Sequence, residues 1–327
     1  MGKGCVLVTG GAGYIGSHVA LDLLDRGWSV VILDNLSSGV REVIPRDALF
    51  VHGDAGESEQ VASLLIRHRC SAILHFAGST VVPESVSDPL KYYRNNTAVS
   101  RSLIAAAVAA GVDKFIFSST AAIYGNPARL PVDEDAPADP ITPYGTSKLV
   151  TELMLRDVAA ATDLRYVSLR YFNVAGADPL GRSGQCTPEA THLIKVACEV
   201  AAGRRPAFTI FGDDYDTADG TCVRDFIHVS DLASAHVAAL DHLVRGGSSL
   251  TLNCGYGRGI SVRQIAETVQ RLSPRPMEVR VGPRRPGDIT AMVADSGRMR
   301  RLLGWTPRHD DIEAIVGSSL AWELRRA

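Results

Sequence analysis

The stretch "VLVTGGAGYIGSH", residues 6–18, decides how the rest of the chain is read. An apolar, β-branched run leads straight into Gly10, Gly11, Gly13 and Gly16, and a helical pattern opens at Tyr14 and Ile15. Glycines at this spacing allow a tight turn, let the backbone approach a pyrophosphate, and bring the next helix close to the strand, with its unpaired first N–H groups facing the phosphates. The string alone is weak evidence; its context strengthens it. Asp34 ends the second apolar run 18 residues beyond Gly16, close to the ~20 that sets a carboxylate on a ribose. That carboxylate accepts from a 2′-hydroxyl and repels a 2′-phosphate, which points to NAD rather than NADP.

Outward from this turn, short Val/Ile/Leu/Phe-rich runs recur at 5–10, 29–34, 48–53, 71–78, 114–119 and 165–172, and the spacing predicts helices over 14–26, 57–69, 88–110 and 143–161. Runs that are apolar throughout suit strands covered on both faces, as in a parallel sheet flanked by helices. The fold class read from this is α/β, a doubly wound parallel sheet. Gly111 supplies a stop for the third helix. After about residue 175 glycine, proline and aspartate become frequent and the elements shorten. We therefore assign 1–175 to a cofactor-binding domain, with a return segment at 224–255, and 176–327 mainly to a smaller α/β substrate domain.

With 327 residues, 46% hydrophobic and 21% charged, and a net charge of -2, the chain has no basic excess for nucleic acid or a membrane surface, so any anion site is local. Six scattered cysteines without C-x-x-C spacing read as reduced thiols and a cytoplasmic setting. The chain passes almost directly into a strand and glycine turn, unlike a signal peptide, and no apolar stretch approaches the roughly 18 residues of a membrane span. The nine histidines have no metal-ligand spacing, so no metal is expected.

The chemistry is read from "TPYGTSKL", 142–149. Thr142 is a good N-cap and Pro143 suits the first helical position, so Tyr144 and Lys148 fall one turn apart on one face. "FSSTAAIYG", 117–125, leaves the fifth strand with Ser118, Ser119 and Thr120. In a doubly wound sheet both places border the crevice where a nicotinamide lies. Tyr144 then acts as base toward a substrate hydroxyl, Lys148 holds the ribose and lowers the phenol's pKa, and Thr120 hydrogen-bonds the reacting oxygen. Asp54, after the third strand, meets the adenine or caps the next helix.

"TGGAGYIGSH" (9–18), "ILDNLSSG" (32–39), "HFAG" (75–78), "YYRNN" (92–96), "FSST" (117–120), "PYGTSK" (143–148), "RYFNVAGA" (170–177), "IFGDDYDTADGTCVRDFIHVSDLA" (210–233) and "RRPGD" (284–288) together resemble the extended short-chain dehydrogenase/reductase family and, within it, the sugar-nucleotide 4-epimerases. The likeness runs from about residue 4 to 325. It implies a Rossmann fold of the extended type, a tightly bound NAD regenerated in each turnover, and inversion at C4 of a UDP-sugar through a 4-keto intermediate. UDP-galactose and UDP-glucose come first as substrates, with the N-acetylated pair and UDP-xylose/UDP-arabinose as alternatives. Cofactor contacts implied by it, beyond the glycines and Asp34, are Tyr14, Ile15, Asn35, Asp54, Ala55, Phe76, Ala77, Gly78, Asn95, Ser118 and Tyr171. On the substrate side it implies Phe172, Asn173, His192, Leu193, Phe211, Arg224, Arg285, Asp288 and Met292. Arginine forks suit a pyrophosphate and an aromatic face suits uracil. Helices 88–110 and 143–161, which carry more apolar positions than a sheet-facing stripe needs, are implied to pair across a homodimer axis.

Thr80, Thr120, His192 and Met292 depart from residues frequent in relatives, lysine, serine, asparagine and tyrosine respectively. A nucleotide-sugar 4,6-dehydratase places an acidic pair directly after the threonine. Here Ala121 and Ala122 stand there, so elimination lacks its proton carrier. A non-catalytic NAD-binding regulator on the same fold has no need of Tyr144, Lys148 and Thr120 together.

Overall fold

The computed structural model describes residues 3–187, 190–285 and 287–326. Strands β1 (Cys5–Thr9), β2 (Ser29–Asp34), β3 (Leu49–His52), β4 (Cys70–His75), β5 (Lys114–Ser118) and β6 (Arg165–Tyr171) form a parallel sheet in the order β6-β5-β4-β1-β2-β3. The order reverses between β1 and β4, and there the glycine turn after β1 meets the loop after β4. Successive side chains on a strand point to opposite faces. Val6 and Val8 of β1 therefore enter one core with Leu23, Ile116 and Leu240, while Leu7 enters the other with Leu65, Ile73, Phe115 and Leu155. That double burial is why the runs are apolar throughout.

Helices α1 (Tyr14–Asp25), α2 (Ser58–Arg67), α3 (Val82–Ser87), α4 (Pro89–Tyr92), α5 (Val99–Ala109) and α6 (Pro143–Ala161) lie between these strands. The helix expected over 88–110 is not one continuous α-helix: α4 and α5 are joined by a π turn at Tyr93–Ala98. Gly111 does end α5, at φ +70, with Val112 N–H reaching back to Ala107 O at 2.9 Å.

Beyond β6 the chain adds β7 (Asn173–Ala175), α7 (Leu193–Ala201), β8 (Phe208–Phe211), β9 (Val223–His228), α8 (Val229–Val244), β10 (Leu250–Cys254), β11 (Gly259–Ser261), α9 (Val262–Leu272), β12 (Val279–Gly282), β13 (Ala291–Met292), α10 (Gly297–Leu303) and α11 (Ile312–Leu324). The return segment needs a correction. Strand β9 belongs to a small sheet with β7, β11 and β13; α8 and β10 are what go back, α8 onto α1 and β10 into parallel register beside β6 as the seventh strand. Strands β8 and β12 make a separate two-stranded ribbon. Helices α7, α9 and α11 close a third core around Ile194, Phe208, Ile265 and Ile315.

Two buried aspartates from "RDFIHVSDLA" fasten these parts. Asp225 accepts from the backbone N–H groups of Tyr256, Gly257 and Ala294 at 3.0, 2.8 and 3.1 Å. Asp231 accepts from those of Arg308 and His309 and from the Tyr256 hydroxyl at 2.9, 2.8 and 2.6 Å. Among the described residues no helix is long and apolar enough to cross a membrane, and no group of His, Cys, Asp and Glu is arranged to hold a metal ion. All six cysteines are free thiols.

Candidate active site

The glycine turn is shaped by close approach. Gly10 has φ +72, and a Cβ there would lie 2.5 Å from Ala77 N; a Cβ on Gly16 would lie 2.3 Å from Gly10 O. Neither contact is tolerable, so both positions require glycine. Gly13 is the N-cap of α1, which has no side-chain cap and no acidic residue in its first turn. The N–H groups at that helix start are left for an anion, which is what a pyrophosphate needs.

Asp34 ends β2 buried, its Oδ2 accepting from Ala12 N–H at 2.9 Å and its Oδ1 from Leu36 N–H at 2.8 Å. These bonds aim the carboxylate at the turn, and a carboxylate has about four lone-pair sites, so capacity for ribose hydroxyls is left. Asn35 Nδ2 donates to Asp54 Oδ2 at 3.1 Å, and Asp54 Oδ1 accepts from Gly56 N–H at 2.8 Å. Asp54 thus closes a turn ahead of α2, whose N-cap is Glu57, and Ala55 is buried beside it. Tyr14 differs from expectation at its polar end, because its hydroxyl donates to Gly176 O at 2.6 Å and ties α1 to the chain after β7.

At the catalytic helix Thr142 caps Gly145 N–H at 3.2 Å with Pro143 next. Tyr144 and Lys148 follow one turn apart, both buried. The Thr120 hydroxyl, which accepts from Ala122 N–H at 3.1 Å, lies beside the Tyr144 phenol and acts to lower its pKa. Lys148 Nζ donates to Ser118 O at 2.9 Å and lies 5.0 Å from the centre of the Phe117 ring. Burial lowers the ammonium to about 8. Burial also raises the Tyr144 phenol, more than Thr120 lowers it. The expected depression of the phenol is therefore not a property of the chain alone, where burial outweighs the other influences on Tyr144.

Around this pair the structure assembles more than the spacing suggested. The Ser118 hydroxyl pairs with the Tyr171 hydroxyl. The Phe76 and Tyr171 rings both pack on His236 of α8, at 4.8 and 6.2 Å between centres. Asn95 Nδ2 donates to Ser79 Oγ at 3.0 Å. Its neighbour Asn96, which we did not single out, is the buried one. It accepts from Ser79 N–H at 2.8 Å and donates to Ser147 Oγ at 2.9 Å, while a Cβ on Gly78 would come within 2.8 Å of its Oδ1. Asn96 thereby joins the loop after β4 to the helix of Tyr144 and Lys148. The only sequence signal is an asparagine, a poor helix former, in the middle of an otherwise helical run.

The substrate-side residues fall into clusters. Phe172 and Met292 are buried together with Ala121, the neighbour of Thr120, and Met292 pairs in register with Arg224 across β13 and β9. Asn173 pairs with Phe226 where β7 meets β9. His192 is the N-cap of α7, immediately before Leu193, and its Nδ1 lies 2.7 Å from Gln185 Nε2; burial lowers its pKa. On the ribbon, Phe211 is 39% exposed, Arg285 stacks 4.8 Å from its ring centre, and Asp288 forks onto Arg285 at 2.9 and 3.2 Å. Asp288 therefore orients the arginine. The glycine turn, the aimed carboxylate and the buried lysine fit a dinucleotide, and the exposed ring beside an arginine fits a nucleotide diphosphate.

The family model described as "NAD dependent epimerase/dehydratase family" matches residues 6–255. A UDP-glucose 4-epimerase of Azospirillum brasilense is 59% identical over 318 residues, covering 97% of this chain and 91% of that protein. The crystal structure of UDP-glucose 4-epimerase from Brucella ovis in complex with NAD superposes with a TM-score of 0.95 at 44% identity, covering 98% of this chain and 99% of the other. The enzyme of the same name from Stenotrophomonas maltophila, with bound NAD and formylated UDP-arabinopyranose, gives a TM-score of 0.96 at 40% identity, covering 99% of each chain.

Proposed function

The chain belongs to the NAD dependent epimerase/dehydratase family, and on that premise we propose that it interconverts UDP-galactose and UDP-glucose by inversion at C4. The observation that carries this is the buried set Tyr144, Thr120 and Lys148 at the switch point, with the apolar Ala121 where a dehydratase has an acid. The glycine turn and Asp34 hold NAD, which when bound supplies a reversible hydride acceptor next to the sugar. Tyr144 Oη takes the proton from the 4-hydroxyl and gives it back to the same oxygen after the 4-keto sugar has turned its other face. Thr120, beside the phenol, offers its hydroxyl to the reacting oxygen, and the Lys148 ammonium favours the phenolate once the site is charged. Phe211 offers a face for uracil, and Arg224 and Arg285 offer donors for the pyrophosphate.

Several further readings go with this one. Leu90, Tyr93, Val108 and Leu153, apolar residues on the segments around α4–α6, are 78%, 37%, 40% and 38% exposed, which supports a homodimer through that face. Six free thiols accord with a reducing cytoplasm. In the test, the purified protein is incubated without added NAD with UDP-galactose, UDP-N-acetylgalactosamine and UDP-xylose separately, and products are resolved by chromatography. UDP-galactose is expected to give UDP-glucose, and Tyr144→Phe to slow this by roughly 10²–10⁴-fold. No conversion by the unaltered protein, even with NAD supplied, overturns the proposal.

A further inference from the structure

The chain leaving β5 carries three successive hydroxyls, Ser118, Ser119 and Thr120, and each has different partners. The Ser118 carbonyl and hydroxyl engage Lys148 and Tyr171, and Thr120 engages Tyr144. The Ser119 hydroxyl instead donates to Glu152 Oε1, and Ser119 is fully buried. Glu152 stands on α6 one turn beyond Lys148, so Tyr144, Lys148 and Glu152 form one stripe at i, i+4, i+8. Its carboxylate receives a fork from Arg170 of β6, Nη2 at 2.6 Å and Nε at 3.1 Å. Arg170 Nη1 donates to the Tyr124 hydroxyl at 3.1 Å, and that hydroxyl donates to Asn253 Oδ1 of β10 at 2.6 Å.

A buried ion pair adds little net stability over an apolar pair of the same volume, but its bonds have direction. An apolar stripe would let α6 rotate slightly about its axis; a carboxylate held from both β5 and β6 does not. Building on the functional reading above, we propose that Ser119, Glu152 and Arg170 are positioning residues that fix the rotation of α6 and the set of Thr120, and so the geometry of Tyr144. They touch neither substrate nor cofactor. They act through Thr120 and Lys148, their neighbours along the chain or helix face.

Two variants test this. Ser119→Ala removes one hydroxyl and leaves the ion pair. The double variant Glu152→Leu/Arg170→Met replaces the pair by apolar residues of similar volume. In both, kcat is expected to fall roughly tenfold or more while KM stays within about twofold, because binding residues are untouched. The thermal midpoint of Ser119→Ala should change little. A second readout is independent of turnover: the ultraviolet titration of the Tyr144 phenol, obtained by difference against Tyr144→Phe, is expected to move to higher pH in Ser119→Ala as Thr120 shifts away from the phenol whose pKa it lowers. If Ser119→Ala keeps both the kcat and the phenol titration of the unaltered protein, the proposal is overturned. If the unaltered protein converts no UDP-sugar, the functional reading fails, and the phenol titration still decides the positioning role.

Discussion

Lys148 shows what a functional residue does to its own fold. Burial lowers its ammonium from 10.5 to about 8, a shift worth about 3 kcal/mol against the folded state. The penalty is fully present below pH 8. It fades between about 8 and 10.5, where the unfolded lysine still holds a proton that the folded one has released. Lys148→Met should therefore raise the unfolding free energy in urea at neutral pH, by at most about 3 kcal/mol since the Ser118 carbonyl loses its donor, and the gain should shrink near pH 10. The same variant should lower kcat severely. A drop in stability at neutral pH would show that the ammonium stabilises the fold. Tyr144 and Lys148 were legible in sequence because a cap and an i, i+4 spacing are local. Asn96 was not, since its role exists only where the loop after β4 crosses α6, a contact between residues 51 positions apart. The role of Ser119 was not legible either, since its partner lies 33 residues away on another element.

At the scale of elements, "RDFIHVSDLA" works as an anchor for distant chain segments. Asp231 sits in the first turn of α8 and holds the segment before α11 as well as Tyr256. Removing an acceptor that satisfies several buried donors costs about 1–3 kcal/mol per orphaned group. Asp231→Ala is expected to lower stability by at least about 3 kcal/mol in urea unfolding, while the fraction that remains folded keeps its kcat at saturating substrate. A loss of kcat with unchanged stability would contradict this. The six strands of the N-terminal half were legible because most are apolar runs and four helical stretches punctuate them. Which sheet β9 joins was not, because a strand buried on both faces reads the same in a large sheet or a small one. The short alternating "LTLNC" of β10 was not among the apolar runs read as strands, although it completes the main sheet beside β6.

For the whole molecule, acid is the sensitive condition. His18 and His236 are lowered to about 4, and His75 and His228 to about 3, mainly by burial. Each is neutral in the fold at a pH where the unfolded chain already takes up a proton near pH 6.5, so stability falls as pH drops through 6.5 toward 4. Together the four should remove about 5 kcal/mol between roughly pH 7 and pH 5.5, a fall that urea unfolding at the two values would measure. A flat profile would mean that these rings become charged within the fold. The central claim, that a hydride leaves C4 and returns to it inside one site, is most directly tested with UDP-galactose carrying deuterium at C4. The protein should form UDP-glucose with the deuterium still at C4 and none lost to water. Product with hydrogen from solvent at C4 would contradict the account, because it would mean that the bond at C4 is broken as a proton and not as a hydride.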